Sequence, residues 1–186
     1  MTSNAKNIIV CLLLLFGVQC MHAEKAHAQY TEYEIKAGLI FSFAKYIKWP
    51  DRAFDSDNSI RLGILGEDPF GSIIDRALKN RSINGRRFEV KRGADIRELK
   101  NCHIIFVGRS KQEDTSTILQ AIYRQRYAFV LTIGDDIDNF CKYGGIINIR
   151  KGYEFNINFE SANNADLVVG AKLLDLAKEI VSSNVE

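Results

Sequence analysis

Four short strand-like runs, IRLGIL (60–65), RFEVKR (87–92), HIIFVG (103–108) and AFVLTI (128–133), constrain this chain more than any other feature. The segments between them have helical periodicity: Pro69 to Lys79, a short stretch near DIRELK, and DTSTILQAIYR (114–124). Strands that alternate with helices bury both their faces in a largely parallel sheet covered on each side by helices. The pattern then changes. GIINIR (145–150) and YEFNINF (153–159) are separated only by Lys151-Gly152, which predicts an antiparallel hairpin at the C-terminal edge of the sheet. Its second strand sets Phe155, Ile157 and Phe159 against Glu154, Asn156 and Asn158, leaving one face wet or turned toward a partner. The expected fold is an α/β three-layer sandwich.

A helix is also predicted over residues 31–48, where Tyr33, Ala37, Ile40, Phe43, Ala44 and Ile47 recur at helical spacing. Ile35, Leu39 and Tyr46 widen its apolar side, and Phe41 falls inside the polar strip of Glu34, Gly38, Lys45 and Lys48. Trp49-Pro50 should end it, because a residue before proline is pushed out of helical geometry. At the other end of the chain, SANNADLVVGAKLLDLAKEIV is expected to close the domain as a helical region broken near Gly170.

Residues 1–28 combine Lys6, an apolar run from Ile8 to Val18 and the triplet Ala26-His27-Ala28, the pattern of a secretory signal cleaved before Gln29. The run is too short to cross a bilayer core, which needs roughly 20 residues. Lipid attachment at Cys20 is disfavoured, since Gly17-Val18-Gln19 lacks the usual leucine and small residue before it. Residues 29–186 then form one domain with one sizeable core. Without Lys6, Lys25 and Glu24, the 25 basic and 23 acidic residues leave a formal charge of +1, which gives no reason to bind nucleic acid. No later run is long enough to insert stably in a membrane. Export leaves one histidine, His103, and two cysteines, Cys102 and Cys141. That inventory argues against a zinc site, a cofactor or a histidine-based catalytic triad.

Several groups remain as candidates. GEDPFG (66–71) follows a strand and opens a helix, yet its glycines lack the G-x-G-x-x-G spacing, and Glu67 and Asp68 repel phosphate. Asp68 is better read as a helix cap, with Gly66, Asp68 and Gly134 kept as an alternative ligand crevice at the strand ends. Asp135, Asp136 and Asp138 do not continue as a calcium loop, because Phe140 and Cys141 interrupt the series. His103 starts a strand and reads as structural. Ser110 and Ser161 have no histidine near them in sequence. Cys102 and Cys141 could pair in an oxidising compartment or remain separate buried thiols. Partner-contact candidates are Ile147, Ile149, Phe159 and Glu160 on and after the hairpin, and Phe41 on the first helix.

The ordered blocks EIKAGLIFSFAKYIKWP, IRLGILGEDPFG, LKNCHIIFVGRS, GGIINI and FNINFESANNADL resemble the YfiR family of periplasmic proteins from about Tyr33 to Lys178. The resemblance implies a small periplasmic α/β protein, usually dimeric and without catalytic activity. It further implies binding to the periplasmic domain of a membrane diguanylate cyclase or another membrane sensor. Redox-sensitive relatives look to join a cysteine like Cys102 to one near Gly63, and a cysteine like Cys141 to one near Asn148. Both partner cysteines are missing here. Only a Cys102–Cys141 bond could then restore redox control.

Overall fold

The computed structural model describes residues 32–54, 58–124 and 129–181. The chain begins with α1 (residues 32–46) and continues through β1 (Ile47–Lys48), β2 (Ser59–Leu65), α2 (Ser72–Leu78), β3 (Ser82–Ile83) and β4 (Arg86–Gly93). Then come β5 (Ile104–Val107), α3 (Thr115–Arg124), β6 (Leu131–Asp135), β7 (Ile147–Ile149) and β8 (Phe155–Asn158). The last elements are α4 (Phe159–Asn164), β9 (Val168–Val169), α5 (Ala171–Leu176) and β10 (Glu179–Val181).

Among the described residues, eight strands form one sheet in the order β10-β8-β7-β6-β5-β2-β4-β3. Strands β4, β2, β5, β6 and β7 run parallel, as the alternation of strands and helices requires. The crossover from β2 to β4 packs α2 on one face, and the crossover from β5 to β6 packs α3 on the other. Two right-handed crossovers leaving adjacent strands in opposite directions give this arrangement.

Side-chain alternation divides the interior into two cores. Ile60, Leu62, Ile64, Ile104, Phe106, Leu131 and Ile133 face α1 and α2, with Ala162 of α4 and Leu173 of α5 on the same side. Leu65, Ile105 and Val107 face α3 and the loop carrying Ile137, Phe140 and Cys141. The molecule is a three-layer sandwich.

The hairpin at the C-terminal end of the sheet is present: β7 and β8 pair antiparallel, Ile147 opposite Ile157 and Ile149 opposite Phe155. A further strand, β10, lies outside it, parallel to β8. The predicted closing helix is broken into α4, β9, α5 and β10. Asp166 adopts φ +55°, which stops α4. Gly170 donates its N–H to the Tyr46 carbonyl, and a Cβ there would lie 2.9 Å from that oxygen. That close approach seats β9 against β1, so residues 47–48, predicted as helix, are strand. Asn84-Gly85, both at positive φ, turn β3 into β4.

Candidate functional site

Charged side chains gather at the carboxyl end of β6. Asp135 is fully buried and accepts hydrogen bonds from the Tyr33 hydroxyl at 2.9 Å and the Lys36 ammonium at 2.5 Å. Lys36 is itself only 1% exposed and donates at 2.5 Å to Glu32, one helical turn earlier on α1. Arg109, just after β5, caps the group by bonding Glu32 at 2.9 Å and approaching Asp135 at 3.6 Å. Burial raises the Glu32 pKa, but the hydrogen bond and charge of Lys36, with those of Arg109, outweigh it and hold the carboxyl below its ordinary range. Burial, together with the Asp135 charge, raises the Tyr33 phenol, which stays a neutral donor.

The charges continue outward. Asp136, at φ +52°, lies 3.9 Å from Arg109 and 3.4 Å from Arg150, and Arg150 approaches Asp138 at 3.7 Å. Lys178 pairs with Glu154 at 3.1 Å. These side chains line an open crevice of about 690 Å³ at the ends of β6, β7 and β8. Cations and anions alternate around it and mostly neutralise one another.

Polar side chains inside the strands hold the loop that borders this crevice. Asn148 donates to the Ile137 carbonyl at 2.7 Å, Thr132 accepts from Ile146 N–H at 2.9 Å, and Asn158 donates to the Cys141 carbonyl at 2.7 Å. Asn158 is fully buried, so the expectation that its face of β8 is wet fails there: the 137–146 loop covers it. Gly145 makes room for the Phe140 ring, since a Cβ would fall 2.2 Å from it.

The three positions proposed as a ligand crevice do not converge on an opening. Gly66 lies against Ser110, whose Oγ would be 2.6 Å from a Cβ at that position. Asp68 accepts from Phe70 and Gly71 N–H and pairs with Arg92 at 2.6 Å, while α2 itself starts only at Ser72. Gly134 is covered by Phe140 and Asn148. The open crevice lies farther along the sheet, toward β7 and β8.

His103 is structural. Its Nδ1 accepts from Arg61 N–H at 3.0 Å, which leaves Nε2 to donate to the Ala53 carbonyl at 3.1 Å, and the ring stacks on Phe54. Ser110 accepts from Glu67 N–H at 3.0 Å, and Ser161, in the first turn of α4, donates its N–H to the Asn158 cap at 2.8 Å. Cys102 and Cys141 are separate, buried free thiols. Burial raises both, Cys141 to about 12, so little thiolate forms at neutral pH.

Of the contact candidates, Ile147 and Ile149 are corrected to core: both are fully buried under α1, because the inward positions of β7 point at the first core. Phe41 is half-buried, 5.9 Å from Phe88 and stacked under the Arg81 guanidinium. Phe159 is 40% exposed at the first turn of α4, beside exposed Glu160. Lys36 and Arg109 are not among the residues that the sequence pattern singles out. The available signal was a lysine at a stripe position between Tyr33 and Ile40, four residues after Glu32.

With that geometry in hand, comparison with known families gives a match over residues 33–178. The chain belongs to the YfiR/HmsC-like family. The matched span takes in Tyr33, Lys36, Arg109 and Asp135 of the charge network and Asp136, Arg150, Glu154 and Lys178 of the crevice, while Glu32 lies one residue before it. No curated protein matches the chain.

Proposed function

We propose that this protein is an exported, non-enzymatic regulator that binds the periplasmic sensor domain of an inner-membrane signalling protein, represses a diguanylate cyclase and so lowers cyclic di-GMP. The observation that carries the reading is the family match across nearly all of the described chain. The state of the charged groups supports it: Arg109, Arg150 and Lys178 are engaged by carboxylates rather than poised as acid, base and nucleophile. Among the described residues no helix is long and apolar enough to cross a membrane. The leader, residues 1–28, lies outside the described residues.

Repression of this kind is linkage. The regulator must prefer the inactive state of the cyclase, and whatever alters that preference becomes the signal. The surface proposed for contact is the exit of the β7–β8 hairpin, where Phe159 and Glu160 are exposed. A second reading, a sensor that signals by small-molecule occupancy, is favoured by the 690 Å³ crevice beside Asp136 and Arg150.

Deleting the gene and measuring cyclic di-GMP, with cross-linking of the protein in intact membranes, tests the proposal. A rise in cyclic di-GMP together with a cross-link to a membrane cyclase is expected. An unchanged level and no cross-linked membrane sensor overturn it. A cyclic di-GMP response that requires an added metabolite bound in the crevice replaces it with the occupancy reading.

A further inference from the structure

The surface opposite the crevice has a different character. Residues 79–100 hold eight lysines and arginines against three acidic residues, while the whole chain carries only +2, so positive charge is concentrated at the β3–β4 end of the sheet. Arg92 is taken up by Asp68 and Asp75, and Arg97 by Asp95. Arg81 lies over the Phe41 ring and Arg86 over the Phe54 ring, on the first-core side of the sheet. Phe88 and Val90 pack toward the first core, so alternation places Arg87, Glu89 and Lys91 on the opposite face of β4, where all three are exposed. Register sets Arg87 beside Ser59, Glu89 beside Arg61 and Lys91 beside Gly63. Among the described residues Arg87 and Lys91 have no ion-pair partner. Helix α3 covers β5 and β6 on this face, and Leu99 of the short turn Ile96–Leu99 packs on Gly63 and Gly93, which leaves Lys91, beside Gly63, exposed at the margin of that turn. Exposed Lys100, directly after that turn, extends the positive area beyond β4.

We propose that this basic sheet face, centred on Arg87 and Lys91, docks the protein reversibly on anionic phospholipid headgroups. The kind of partner follows from what accompanies the charge. Every large exposed hydrophobic side chain lies outside residues 36–122, so the basic face has no exposed aromatic or aliphatic anchor of the sort that holds protein interfaces together. Spread positive charge on a nearly flat surface needs no pocket, and a lipid surface offers matching negative charge at any lateral position. A regulator whose target sits in a membrane then searches in two dimensions. The docking face is distinct from the hairpin exit proposed for the sensor, so both can be engaged at once.

The test uses protein purified from the periplasmic fraction of expressing cells, in whatever processed form the cell makes, and co-sedimentation with phosphatidylglycerol/phosphatidylethanolamine vesicles. Binding is expected at about 0.01 M salt and lost at about 1 M, as the screening length falls from roughly 30 Å to 3 Å. R87E/K91E should weaken it at least about tenfold, since each basic residue near the surface contributes roughly fivefold. At about 0.1 M salt, where screening confines the field to roughly 10 Å, Lys142→Glu, a reversal at an exposed position on the 137–146 loop, should leave it within about twofold. Should R87E/K91E fail to fold by circular dichroism, R87Q/K91Q supplies the same comparison with a smaller loss. No binding at low salt overturns the proposal, as does equal loss in K142E, which would mark a net-charge effect only. Loss of binding to the purified sensor domain in R87E/K91E with vesicle binding intact also overturns it and makes the face a protein contact.

Discussion

Lys36 occupies a position that helical periodicity assigns to an apolar side chain, and the fold surrounds it there with Glu32, Asp135 and the Tyr33 ring at 4.7 Å. Burying the ammonium is costly, and two carboxylates plus the ring offset that cost. Its removal leaves Asp135 fully buried, with only the Tyr33 hydroxyl and the more distant Arg109 to balance it. Lys36→Met should therefore lower unfolding free energy by about 3 kcal/mol, the low end for a broken buried pair, and K36M/D135N should recover at least about 1 kcal/mol. Urea denaturation of the three proteins checks this. The gap between wild type and K36M should also narrow in acid. Glu32 is held below its ordinary range, so its contribution is present above that range and disappears as pH falls through the lowered value. A K36M midpoint equal to wild type at pH 7 would mean that the pair is not structural.

Among the elements, β2 has a gap that a single substitution can bridge. A Cβ at Gly63 would lie 3.0 Å from Cys102 Sγ, about the separation that one sulfur-to-opposite-Cβ distance takes in a disulfide. Gly63→Cys should thus form a bond with Cys102 on export, seen as the loss of two free thiols and of two mass units relative to the reduced form. Closing that loop raises stability by up to about 4 kcal/mol on the chain-entropy model, less whatever Leu99, 3.1 Å away, requires to shift. Absence of the bond in oxidised protein would mean that β2 and the Cys102 turn do not sit as described. Elements were unequally legible in the sequence. β2, β4, β5 and α3 stood out because their periodicity is local. The breaks that create β9, α5 and β10 did not, because the Gly170 approach to Tyr46 is a tertiary contact between residues 124 positions apart. At the site, GEDPFG could be read as turn chemistry and His103 as structural. The Lys36–Asp135 pair joins α1 to β6 across 99 residues, and neither residue's local pattern announces the other. Ile147 and Ile149 were misplaced because a three-residue strand buried on both faces lacks the alternation that separates inside from outside.

At the scale of the whole molecule, the surface divides its tasks. The part built from β3, β4 and their flanking turns is basic and has no exposed large apolar group, while Phe159, Val168, Leu176 and Ile180 are exposed within the last elements of the chain. A protein that works by contact finds its anchors in that second region, and buried neighbours such as Ile147 only support it. The two kinds of residue separate under substitution. Phe159→Ala removes a ring that is 40% exposed and should change stability by less than about 1 kcal/mol, yet weaken binding to the sensor domain at least about tenfold. Ile147→Ala opens a cavity in the first core and should cost about 2–5 kcal/mol of stability. At temperatures where it remains folded, its affinity for the sensor should stay near that of wild type. Chemical denaturation gives the first quantity and titration against the purified sensor domain the second. If F159A kept its affinity while losing stability, the hairpin exit would be support rather than contact, and the proposed interface would have to lie elsewhere on the α4–β10 surface.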